Sequence, residues 1–122
     1  SGYNGAPRGR QNCIDTGVCI REKLQIPRGE RYEVCRSVHA EANAIISASR
    51  KEMIGATLYL VGKDARTGAY VENPSSCSMC KRLIINAGIS RVVVRLDEQE
   101  YRVIPVIEWI DNDESMAGIF GY

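Results

Sequence analysis

The segment VHAEANAI, residues 38–45, holds the only histidine of the chain, and Glu41 follows His39 by two positions. Farther along, CSMC sets Cys77 and Cys80 three apart. One nitrogen and two sulfurs make the three-ligand set of a catalytic zinc, which keeps its fourth position for water. A carboxylate beside such a site need not bind the metal. Glu41 can instead take a proton from the water and deliver it elsewhere. Each part alone is ambiguous. A C-x-x-C pair also suits a redox couple, half of a structural zinc site or two core thiols, and a lone helical histidine is more often hydrogen-bonded filler. The conjunction gives the chemistry its weight.

The rest of the composition narrows the setting. With 122 residues, 44% of them hydrophobic and 25% charged, the chain fits a single domain, residues 1–122, with a core of its own. A net charge of +1 lacks the basic footprint of a polynucleotide binder, though a pocket for one small anion remains open. No apolar run approaches the roughly 18 residues of a membrane span, and no signal peptide opens the chain. Five cysteines beside one histidine favour metal ligation in a reducing, cytoplasmic compartment over disulfides.

These side chains need elements to hold them. Residues 15–24 read as a short helix capped by Asp15 or Thr16, and 26–35 as a loop punctuated by Pro27 and Gly29. Ser37 is placed to cap a helix through about Arg50, with Ala42, Ile45, Ile46 and Ser49 on its buried face. A strand over 57–61 leads into a polar loop, 62–76. A helix over 77–88 then starts at the cysteines and ends at Gly88. The β-branched run 91–96 suits a strand buried on both faces. A short strand over 101–104 and a last helix, with Pro105 in its first turn, close the pattern. Helices alternating with strands predict an α/β domain around a mainly parallel or mixed sheet. The opening SGYNGAPRG is turn chemistry with nothing before it to turn from, so residues ahead of Ser1 are expected.

His39-Ala40-Glu41 with Cys77-x-x-Cys80 resembles the cytidine and deoxycytidylate deaminase superfamily and its H-x-E…P-C-x-x-C signature. HAEANAI, with Asn43, and GYNGAPRG, residues 2–9, are similar to its deoxycytidylate branch, including the bacterial proteins of competence operons. The likeness runs from Gly2 to about Val94. It departs at Ser76, where the family usually has proline, and at the start, where the family carries a first helix and strands.

The resemblance implies a three-layer α/β/α fold with a mixed central sheet, its N-terminal helix and strand missing from this sequence. It implies zinc on His39, Cys77 and Cys80, with water adding to C4 of the cytosine of dCMP while Glu41 carries the protons. Asn4 would meet the deoxyribose 3′-hydroxyl, and Ala40 would allow close approach of the base. Asn43 would meet the nucleotide or cap a loop, and Arg8 would lie near the phosphate. Tyr3 and Gly5 belong to a turn that the family links to the effectors dCTP and dTTP, often in a homo-oligomeric hexamer. Two other readings stay open: a deaminase of another nucleoside, base or tRNA adenosine, and a non-catalytic zinc-bound interaction module.

Cys13, Cys19 and Cys35 are left over. They read either as small buried core residues or as part of a second, structural zinc site fastening residues 13–35, its fourth ligand lying ahead of Ser1. Some members of the family carry such a zinc.

Overall fold

The computed structural model describes residues 1–27, 30–64, 66–72, 74–113 and 116. Gly29 of the predicted loop lies outside them. Three strands form one sheet in the order β1 (Thr57–Leu60), β2 (Arg91–Arg95), β3 (Tyr101–Pro105). β1 and β2 run parallel, with Leu58 beside Val92, and β2 and β3 run antiparallel, with Val92 beside Ile104. The sheet is therefore mixed, as expected. The parallel pair is joined through α5 (Ser78–Ala87), and β3 passes directly into α6 (Val106–Asp111).

The core lies between the sheet and these two helices. Ile84 and Ala87 of α5 meet Val92 and Val94 of β2, with Ile89 and Val106 completing the cluster. Burying each of these isoleucine and valine side chains stabilises the fold by about 1.5–3 kcal/mol. Val92 and Val94 are buried while Arg91 and Arg95 are exposed. Contrary to the expectation of a strand covered on both sides, β2 alternates. Among the described residues the opposite face of the sheet stays open, with Tyr59 75% and Val103 47% exposed.

Local backbone and capping chemistry break two of the predicted helices. The one expected over 15–24 becomes α1 (Cys13–Thr16) and α2 (Ile20–Lys23), because Gly17 turns left-handed, φ 74°, and ends the first. The one expected from Ser37 to Arg50 becomes α3 (Ala40–Ile46) and α4 (Arg50–Met53). Ser49 starts α4 by a capping box, its hydroxyl accepting from the Glu52 N–H while the Glu52 carboxylate accepts from the Ser49 N–H. Ile46, expected on the buried face, is consequently 76% exposed. α5 ends at Gly88 as its sequence predicts. Pro105 closes β3 and stands just ahead of α6 instead of in its first turn. No helix among the described residues is long and apolar enough to cross a membrane.

Candidate active site

Two helix starts meet here. His39 is the residue just before α3, and Cys77 the residue just before α5; the two helices pack together. That position usually takes a side chain that caps the first turn. Neither His39 nor Cys77 does so. Asn4 supplies a cap from across the chain, its Oδ1 accepting the Ala40 N–H at 2.6 Å. The imidazole is thereby left free for other partners.

The opening turn is stitched to the same helix. Gly5 and Val38 exchange backbone hydrogen bonds, at 3.2 and 2.7 Å, just before His39. Asn43 donates from Nδ2 to the Tyr3 carbonyl at 2.8 Å, so it braces the opening segment against α3. Gly2 permits the contact: a Cβ there would stand 2.4 Å from the Ala44 nitrogen and 2.7 Å from the Ala40 oxygen.

The donors converge. His39 Nδ1 lies 3.4 Å from the sulfurs of both Cys77 and Cys80, and the three ligand atoms fall within 4.8 Å of one another. Zinc bonds of about 2.3 Å to sulfur and about 2.0 Å to nitrogen, at tetrahedral angles, separate those atoms by roughly 3.5 Å. The donor set fits zinc in both kind and spacing. Cys77 and Cys80 are each 2% exposed, so the sulfurs are held in a dry setting.

Without metal the two thiols divide their roles. The hydrogen bond from Cys80 is the main influence holding Cys77 down to about 4; burial opposes it and His39 adds to it. The same bond is the main influence pushing Cys80 up, joined by burial and by the Glu41 carboxylate. His39 is raised, first by its hydrogen bond with Cys77 and against the cost of burial. A depressed thiol stabilises the fold fully above its ordinary value of 9.0, and that contribution fades as pH falls, ending below about 4. A raised thiol works the other way, costing stability above the ordinary value. Metal-free protein should accordingly show one thiolate by ultraviolet absorbance down to about pH 4. Cys80→Ala removes the donor and should move that midpoint upward; an unmoved midpoint would refute the assignment.

Glu41 occupies the first turn of α3 and is only 8% exposed. Its carboxylate pushes up both the Cys80 thiol and the His39 imidazole, so it borders the metal donors without belonging to their cluster. A cavity of about 390 Å³ opens beside it, between Ser1–Gly2, Ala40, Ala44 and β1. Ser76, at the proline position, is 1% exposed, and its Oγ has no hydrogen-bond partner among the described residues.

Other predicted residues fall outside this cluster. Arg8 is exposed in a turn closed by Arg10 N–H on the Pro7 carbonyl, and Tyr3 is 83% exposed. Cys13, Cys19 and Cys35 are half-buried at three separate element ends and do not form a metal-ligand group; among the described residues His39, Cys77 and Cys80 are the only such group. Residues 13–35 are fastened by Arg21 donating to the carbonyls of Pro27 and Glu30. Sequence reasoning also passed over Tyr32, whose ring packs edge-on against His39 with centroids 5.1 Å apart. It sits in a loop without periodicity, where only its aromatic type near the histidine offered a signal.

Comparison with known proteins agrees with this geometry. The family model described as the cytidine and deoxycytidylate deaminase zinc-binding region matches residues 1–96. The chain is 37% identical over 98 residues to the deoxycytidylate deaminase of Mycobacterium phage D29, covering 76% of this chain and 65% of that protein. It is 33% identical over 110 residues to the deoxycytidylate deaminase of Saccharomyces cerevisiae, covering 85% of this chain and 30% of the relative. The human deoxycytidylate deaminase is 29% identical over 117 residues, 95% of this chain and 50% of the relative. The chain thus spans less than two thirds of the length of these relatives. No solved structure matches it.

Proposed function

From its place in the cytidine and deoxycytidylate deaminase zinc-binding family, to which this chain belongs, we propose that it hydrolyses dCMP to dUMP and ammonia. The observation that carries the reading is the buried Glu41 carboxylate beside three converging metal donors. The printed names of the relatives, deoxycytidylate deaminases, support the substrate.

His39, Cys77 and Cys80 would hold zinc, which would supply the acidity that makes water a nucleophile near neutral pH. Glu41 accepts a proton from the water that adds to C4 of cytosine. It then returns protons to N3 and to the departing amino group, so one carboxylate serves as base and as acid. Burial keeps its proton from exchanging freely with solvent. Asn4 is held by the Ala40 N–H on its Oδ1, which leaves Nδ2 to donate to the 3′-hydroxyl of the sugar. Ala40, small and first in α3, allows the base to come close, and Arg8 faces the phosphate. The segment Tyr3–Gly5, with Tyr3 exposed, is where dCTP and dTTP, or a neighbouring subunit of a hexamer, would meet the chain.

A site that spends charge-assisted contacts on a 5′-phosphate loses them with a nucleoside. The ratio kcat/KM for dCMP should exceed that for deoxycytidine by about a hundredfold or more, roughly 2.7 kcal/mol of transition-state binding. Ammonia release measured across dCMP, deoxycytidine, cytidine and cytosine tests this. Equal values for the first two would favour another deaminase of the same chemistry. No release from any of them would favour a non-catalytic zinc module.

A further inference from the structure

We propose that Tyr32 is the positioning residue of the metal ligand His39, and that Arg21 clamps Tyr32 in place; this rests on the zinc reading of the centre. A metal-binding histidine is usually aligned by a partner on its second ring nitrogen. Here the described hydrogen-bond partners of the ring are the two sulfurs, both at Nδ1. What fixes the plane of the imidazole is an aromatic edge. The rings of Tyr32 and His39 stand at 84° with centroids 5.1 Å apart, an arrangement that aromatic quadrupoles favour.

Tyr32 has a second neighbour. The Arg21 guanidinium carbon lies 4.3 Å from the centroid of its ring, within cation–π range. That guanidinium is not free to wander, since Nη2 donates to the carbonyls of Pro27 at 2.7 Å and Glu30 at 2.8 Å, and Nε donates to Glu30 at 3.2 Å. Three groups in contact therefore run from a loop backbone to a metal ligand. Each is set by the one behind it. Residues 13–35 thus serve the metal centre by orienting its only nitrogen donor, a role that needs no second metal.

Zinc affinity by chelator competition, with the visible spectrum of the cobalt(II)-substituted protein as a report on ligand geometry, tests the proposal without any substrate. Tyr32→Phe keeps the ring and should bind zinc within about twofold of the wild type, with an unchanged cobalt spectrum. Tyr32→Leu should bind about 10–100-fold more weakly, the range seen when groups behind a ligand are removed, with shifted cobalt bands. Wild-type affinity and spectrum in Tyr32→Leu would overturn the proposal, as would equal losses in Phe and Leu. If Tyr32→Leu does not fold, Arg21→Met decides. It should weaken zinc several-fold and shift the cobalt bands, and no change in either would count against the clamp. A wild-type chain that binds no zinc would instead overturn the reading of the centre itself.

Discussion

Glu41→Gln is expected to bind zinc like the wild type and to turn over dCMP more slowly by on the order of 10³–10⁴-fold. Glutamine matches the shape of the side chain but cannot accept and return a proton. Glu41 is outside the three-donor cluster, so ligation should survive the change. The site is 8% exposed at this residue, and replacing a buried carboxylate with a neutral amide should not unfold it. Metal analysis beside kcat separates the two duties. Near-normal turnover in a zinc-loaded variant would remove Glu41 from the mechanism.

His39→Ala should fail at an earlier step. It deletes the nitrogen that lies 3.4 Å from both sulfurs and leaves two cysteines to hold an ion that needs three protein ligands. Purified and dialysed, the variant should retain little zinc and show no measurable deamination. Cys77 would also lose one of the influences that hold its thiol down. Its metal-free thiolate midpoint should rise, although the larger contribution, from Cys80, remains. Full zinc occupancy in His39→Ala would show that the imidazole is not a ligand.

The contrast between these two variants follows what the sequence could and could not reveal. Residue types carry ligand chemistry, so His39, Cys77 and Cys80 were legible from their kinds and spacing, and the structure gathers them. Glu41 was legible because a carboxylate two positions after the histidine enters the first turn of the same helix. The strands and the helix behind Cys77 were legible from apolar runs and a terminal glycine. The start of α3 was not. Ser37 was a plausible cap by type, but the hydrogen bond that begins α3 comes from Asn4, far away in the chain. Burial of β2 was misjudged for a related reason: Arg91 and Arg95 alternate with the valines, and that period-two signal outweighs the apolar run between them. The start of α3 is decided by a long-range polar contact, which leaves no periodic trace.

The most direct test is a zinc titration of metal-free protein while ammonia release from dCMP is followed. The three-donor site predicts no activity at the start and a rise that breaks at one equivalent of zinc per chain. Glu41→Gln, titrated in parallel, should take up the same equivalent and stay inactive. Full activity before zinc is added, or an active Glu41→Gln at saturation, would contradict the account.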